Sequence, residues 1–396
     1  MILRAIECAQ TNPAENLSTH CLTPKFLCYV RLSRVVASLL LTKSVYKMSS
    51  NSQSTDFQSI CIVRLSAIGD VTHMLPIIHS IQKFRPGTNI TWVIGKTEHK
   101  LVGDLENVEF IQFNKSLGIN AYREVLTKLA GRKFDVLLAC QVSLRANILS
   151  ALISAKRKVG YDNSRAKDFH SLVINEKIPA ANVHVLDSFF QFIEHIGIAH
   201  KKFDWSLPIP PQDHEFAREH IPANKRVLAI SPCSSHTLRN WSIQSYIDVA
   251  NYAIEKHKMH IVLLGGNSDL ELEFGEKISA QLKQAPTNLI GKDTLKKLLA
   301  ILQRSTALLT PDSGPAHMAT CVNTPVLALH AASNSQRSGP YLSLPWCIDK
   351  YSEAAMRHFN KSAEQIKWGT KIEKPGVMDL IKPEDVIIKL DKLLKT

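Results

Sequence analysis

The chain has 396 residues, of which 45% are apolar and 21% charged, and carries a formal net charge of +13. That length suits two domains with full cores, and that composition is a soluble globular protein's rather than a disordered chain's. The positive excess biases the surface toward anionic partners such as nucleic acid, nucleotide sugars or acidic lipid. Aromatic residues make up only 7%, and no zinc-finger spacing, RNP-like run or basic heptad array is present, which argues against nucleic acid.

Residues 1–58 differ from the rest. Up to Lys47 they carry six Lys or Arg against Glu7 and Glu15. The apolar run Val35–Leu41 is too short to span a bilayer and lies too far in for a signal peptide. Met48 opens a polar leader, so the expectation is an extension over 1–58, disordered or not native, with Met48 as the working start; a basic membrane-touching arm is the rival. The eight cysteines are scattered with no C-x-x-C, which predicts free thiols in a reducing cytosol.

The first predicted strand, Ile60–Val63, runs into a small-residue turn at Gly69 and then an apolar helical repeat: Val71, Met74, Leu75, Ile78, Ile81. Strand, turn and helix build ligand sites in α/β proteins, because ligands collect where strands end and helix N-termini point. Asp70 sits at that junction, either as an ordinary helix cap or as a general base at the mouth of a cleft. Further strands are expected at Ile90–Ile94, Val108–Phe113 and Phe134–Cys140, with helices near 118–130 and 143–154. The alternation implies a parallel sheet with right-handed crossovers. Arg145, just past the fourth strand, and the basic run Lys156, Arg157, Lys158, Arg165 and Lys167 have two readings, solvated surface or a seat for an anionic acceptor. His184 opens an amphipathic stretch to Ile196, either structural or facing the same cleft.

Pro208-Ile209-Pro210-Pro211 breaks the pattern. The expected division is a first domain over 59–207, a linker over 208–224 and a second domain over 225–396, with the last helix packing back on the first domain. The second half alternates again, and three stretches fall at predicted strand ends. Ser234, Ser235 and Arg239 form a cradle for a diphosphate; Asp269 and Glu271, after Gly265-Gly266, suit ribose hydroxyls; Ser313 and Gly314, after Asp312, open a helix whose free N–H groups suit phosphate. No P-loop, G-x-G-x-x-G, H-E-x-x-H, acidic metal cluster or G-x-S-x-G elbow is present.

Val63-Arg64-Leu65-Ser66-Ala67-Ile68-Gly69-Asp70-Val71, with His73 and Leu75-Pro76, resembles the opening of the bacterial lipopolysaccharide heptosyltransferases, glycosyltransferase family 9. So does Pro311-Asp312-Ser313-Gly314-Pro315-Ala316-His317, followed by Thr324-Pro325-Val326 and Gly339-Pro340-Tyr341. The similarity covers roughly residues 59–392 and leans mildly toward members of the first heptosyltransferase type. It implies a GT-B fold of two Rossmann-like domains, with acceptor on the first and nucleotide sugar on the second. It also implies inverting transfer of heptose from ADP-L-glycero-D-manno-heptose to the Kdo region of lipopolysaccharide, with no cofactor or metal. By matched position, Asp70 is the general base. Ser234, Ser235, Arg239, Asp312, Ser313, Gly314 and His317 bind the donor, Asp269 and Glu271 its ribose. Arg239 stands where the family has a lysine, Ser313 where it has threonine, and Pro315 departs from the pattern. The acceptor falls to Arg145, Lys167 and His184, and a Kdo-lipid A acceptor places the enzyme at the cytoplasmic face of the inner membrane. The alternatives are a GT-B enzyme with another sugar or acceptor, or an inactive nucleotide-binding protein.

Overall fold

A computed structural model describes residues 56–395. The expectations for the amino-terminal extension and its start therefore lie, but for residues 56–58, outside the described residues. The first half contains β1 (Ser59–Val63), β2 (Asn89–Gly95), β3 (Val108–Phe113), β4 (Phe134–Leu138), β5 (Ala155–Gly160) and β6 (Glu176–Lys177). The second contains β7 (Val227–Ile230), β8 (His260–Leu263), β9 (Thr287–Asn288), β10 (Ala307–Pro311), β11 (Val326–His330) and β12 (Ile348–Asp349). The sheets run β3-β2-β1-β4-β5-β6 and β12-β11-β10-β7-β8-β9, with parallel pairs throughout. These are two copies of one doubly wound order. Each reverses direction between its first and fourth strands, β1/β4 and β7/β10, and ligands bind beyond the carboxyl ends of such a pair.

Local sequence explains these elements. Ile60, Cys61, Ile62 and Val63 are fully buried, as a parallel strand covered on both faces requires. The helices that matter to the site are α1 (Ile68–Phe84), α2 (Lys96–Val102), α3 (Ile119–Lys128), α4 (Leu144–Leu152), α5 (His170–Val173), α6 (Val185–His195), α7 (Pro211–His220), α8 (Ile243–His257), α9 (Asp269–Ser279), α10 (Leu295–Gln303) and α11 (Gly314–Thr320). α1 seats on α6 and on α11, and one apolar cluster runs from Ile60, Met74 and Phe189 to Val227, Leu299 and Met318. The two sheets thus share a core through α1 and α11.

Three readings change. The stretch read as a linker contains α7, because Pro211 presets its first turn and Ala217 and Ile221 bury against α10. The basic run 156–158 is β5, and its charges have internal partners. Lys156 pairs with Asp135 and Arg157 with Glu176, while buried Lys158 donates to the Ser150 carbonyl at 2.6 Å. The last helix (Pro383–Leu393) packs on α8 and on β11 and β12 of its own half, where Val386, Leu390 and Leu393 join the second-half core. Cys61, Cys140, Cys233, Cys321 and Cys347 are free and buried.

Candidate active site

Asp70 lies in the first turn of α1, directly beyond β1. It makes no capping bond: the N-cap position is Ala67, and the carboxylate instead meets the Arg64 guanidinium. Arg64 is buried at the strand end. Its Nη1 donates to the Cys140 carbonyl at 2.6 Å, past β4, and its guanidinium lies 5.3 Å from the centre of the Phe189 ring. The Asp70 side chain is 32% exposed, so an outside hydroxyl can reach it. Gln141 Oε1 accepts from Leu65 N at 2.7 Å and bridges the ends of β1 and β4.

The second half meets this junction through α11. A Cβ added to Gly69 would lie 2.3 Å from His317 Cδ2, so only glycine lets α1 come this close. His317 is buried beside His73 (ring centres 4.8 Å apart), and His73 lies 5.3 Å from His184. Neither ring nitrogen of His73 has a hydrogen-bond partner, and the Nδ1 of His317 has none. Burial, then the neighbouring imidazoles, holds His73 well below the usual histidine value. Burial likewise lowers His317, although Asp312 and Asp70 oppose it.

Asp312 follows the end of β10. Burial alone would raise its carboxyl, but the Lys371 ammonium outweighs that, and the carboxyl is held well below the usual range. Lys371 Nζ is 2.8 Å from Asp312 Oδ2. Arg239, in the turn after β7, sends Nε (2.8 Å) and Nη2 (2.6 Å) to Glu373 Oε1, and its Nη1 lies 3.9 Å from Asp312. Ser234 is tied into the same turn, its N donating to Asn240 Oδ1 at 2.7 Å, while Ser235 is exposed. Ser313 is the N-cap residue of α11, with its hydroxyl 2.8 Å from that of Thr310 and no side-chain cap bond, and Gly314 opens the helix. These groups gather at the β7/β10 reversal, facing the β1/β4 reversal across α1 and α11.

Glu271 forms a capping box with Ser268 at the start of α9 and accepts from Gly266 N at 2.7 Å, with Asp269 in the same turn. Asp293 Oδ2 is buried without a hydrogen-bond partner, and burial, helped by the Glu271 charge, pushes its carboxyl up to about 7. Arg145 and Lys167 are exposed near the ends of β4 and β5. His184 is different. It is buried, its Nε2 donates to the Gly339 carbonyl at 2.9 Å and its Nδ1 accepts from Leu186 N at 3.1 Å. With both nitrogens on main-chain groups it is a joint between the halves, which corrects its reading as an acceptor ligand. Lys371 and Glu373 went unnoticed in the sequence, because nothing local marks two charges flanking a single isoleucine. A depression of about 980 Å³ lies at the opposite, amino-terminal edge of the first sheet, where Arg132 is paired with Glu109; it is remote from these groups. Among the described residues no three His, Cys, Asp or Glu side chains gather as a metal-holding group, and no helix is long and apolar enough to cross a membrane.

Two doubly wound sheets facing each other through their ligand edges define the GT-B fold, and solved glycosyltransferase structures share it. A glycosyl transferase family 9 structure from Veillonella parvula superposes with a TM-score of 0.73 at 21% identity, covering 87% of this chain and 100% of that one. The E. coli ADP-heptose lipopolysaccharide heptosyltransferase II gives 0.63 at 17% identity, covering 85% and 98%. The family model for glycosyltransferase family 9 (heptosyltransferase) matches residues 122–368. A lipopolysaccharide core heptosyltransferase of Haemophilus influenzae, OpsX, is 38% identical over 85% of this chain and 97% of its own length. The chain belongs to glycosyltransferase family 9 and is an enzyme of the heptosyltransferase type.

Proposed function

We propose that this enzyme transfers heptose from ADP-heptose to the Kdo region of a lipopolysaccharide inner core, with inversion at the anomeric carbon and without a metal. The observation that carries this reading is the position of Asp70, a part-exposed carboxylate on α1 next to Gly69, which packs against His317 of α11, the helix that follows Asp312. The acceptor hydroxyl attacks from the face opposite ADP. Asp70 takes its proton as the new bond forms. Negative charge then grows on the departing diphosphate. Arg239, the Ser234 and Ser235 hydroxyls and the open N–H groups of α11 would stabilise it, as preorganised donors do. Asp312 and His317 hold the sugar side of the donor, and Asp269 and Glu271 the ribose. No step in this scheme calls on a metal.

The likeness to OpsX, a lipopolysaccharide core heptosyltransferase, and to the E. coli ADP-heptose lipopolysaccharide heptosyltransferase II supports the donor and the acceptor class. Arg145 and Lys167 suit an anionic acceptor, and exposed Phe169 and Leu172 beside Lys167 suit a lipid-anchored one at the cytoplasmic face of the inner membrane. The test is to incubate the protein with ADP-heptose and Kdo₂-lipid A and weigh the lipid. A gain of one heptose unit, lost in Asp70→Ala, is expected. Release of nucleotide only from UDP- or GDP-sugars would replace this reading with another GT-B transferase.

A further inference from the structure

Residues 371–373 run past the donor side of the site outside any helix or strand, and the Lys374 N–H closes a tight turn on the Ile372 carbonyl at 3.0 Å. Ile372 is fully buried and its N–H donates to the Ala332 carbonyl at 2.8 Å, which anchors the segment, while Lys371 and Glu373 on either side of it are part-buried and reach Asp312 and Arg239. They complete a row of charges: His236, Glu373, Arg239, Asp312, Lys371. Glu373 Oε2 is 3.5 Å from His236 Nε2, and Lys371 Nζ is 2.8 Å from Asp312. Two cations and two carboxylates cancel, leaving a neutral row apart from His236. Both residues lie beyond the stretch that the family model matches, which ends at residue 368.

A guanidinium grips a phosphate through a pair of N–H groups on one edge. The Nε/Nη2 edge of Arg239 is taken by a single oxygen of Glu373, and its Nη1 faces Asp312 at 3.9 Å. A diphosphate brings at least two negative charges to this point, and it cannot share Arg239 with two carboxylates without strong repulsion. Asp312 is held in place by burial and by Lys371. Glu373 can move: its side chain is 23% exposed, and His236, 44% exposed, offers it a second partner.

We infer that Glu373 is a further donor-site residue, a carboxylate of the chain that occupies the place of the diphosphate on Arg239 and is displaced onto His236 when the nucleotide binds. Glu373 thereby lowers the affinity for ADP and keeps the product from lingering. The inference rests on the reading of Arg239 as a diphosphate ligand.

The experiment is calorimetric titration of ADP into the full chain, wild type, Glu373→Gln, Arg239→Ala and the double variant. Glu373→Gln should bind ADP roughly five to ten times more tightly, since a neutral amide no longer competes for the guanidinium. Glu373→Asp, too short to reach Arg239 from the same backbone, should tighten binding as well and serves if the glutamine variant folds poorly. Arg239→Ala should bind at least roughly tenfold more weakly, and on that background Glu373→Gln should have no further effect. Unchanged or weaker ADP binding by Glu373→Gln overturns the inference, as does tightening that persists without Arg239. Wild-type affinity in Arg239→Ala instead overturns the donor-site reading beneath it.

Discussion

Among the described residues Asp70 hydrogen-bonds through its side chain to the Arg64 guanidinium, and about a third of that side chain is left exposed to an incoming hydroxyl. Asp70→Asn keeps its shape and removes its ability to accept a proton. Turnover should fall about 10²–10⁴-fold while ADP affinity stays within about twofold; an active Asn variant would remove Asp70 from the chemistry. Asp293 tests a second carboxyl. Burial pushes it up to about 7, helped by Glu271 and opposed by Lys297. The folded state therefore holds this proton more tightly than the unfolded chain, whose value is 3.8. Its contribution to stability is full below that value and is lost as pH rises from there through about 7. Asp293→Asn should abolish this loss, raising unfolding free energy at pH 8 by up to about 4 kcal/mol and leaving it little changed at pH 4. Denaturant melts at the two pH values check the sign; a variant that is no more stable at pH 8 would show that water already solvates the carboxylate.

The site depends on how closely α1 meets α11, and the two glycines at this contact should behave differently. In Gly69→Ala the new methyl would meet His317 at 2.3 Å, and both helices are buried there. Overpacking of this kind costs about 1–3 kcal/mol, and because the shift moves the first turn of α1 it should lower turnover too. A methyl at Gly314 would meet only Ile68, at 3.5 Å, an ordinary contact. Gly314→Ala should keep wild-type stability, and any defect should show in ADP affinity, because this residue opens the helix toward the proposed phosphate. Melting curves and ADP titrations on the pair separate packing from ligand approach. If Gly69→Ala melts like the wild type, the contact between the helices is looser than the geometry requires.

Across the whole molecule the halves are tied by His184 to the Gly339 carbonyl, Trp368 Nε1 to the Val183 carbonyl at 3.2 Å, Tyr341 to Asp187 at 3.1 Å and Lys296 to Asp104 at 2.8 Å. Three neutral imidazoles fill the seam. Burial lowers His73, His317 and His184, the last to about 4, and Arg64 adds to the effect on His73. For each, stability is full above the unfolded value of 6.5 and is lost as pH falls from there toward the folded value. The unfolding free energy should fall below pH 6.5 by up to about 1.4 kcal/mol per pH unit per histidine. His73→Leu removes an imidazole with no hydrogen bonds and should flatten that slope by one proton; an unchanged slope would place the acid sensitivity elsewhere.

Much of this was legible in the sequence where cause and effect lie close together. An apolar run, a small-residue turn and a helical repeat determine β1, Gly69 and α1 by local sterics and burial, and the same holds for β10, Asp312 and the start of α11. The parallel pairing in both sheets follows from alternating strands and helices, whereas their doubly wound order is implied only by the family resemblance. What needed the tertiary structure were pairings between distant residues: Arg239 with Glu373, 134 positions away, and Lys371 with Asp312, 59 away. Charge runs misled for the same reason. Lys156, Arg157 and Lys158 look like one basic patch in sequence, yet alternation along β5 sends them to separate partners. His184 has no local feature to show that its ring is filled by two main-chain groups. Periodicity determines which face of an element is buried, but only the packed chain decides which charge meets which, since that depends on where distant segments come to rest.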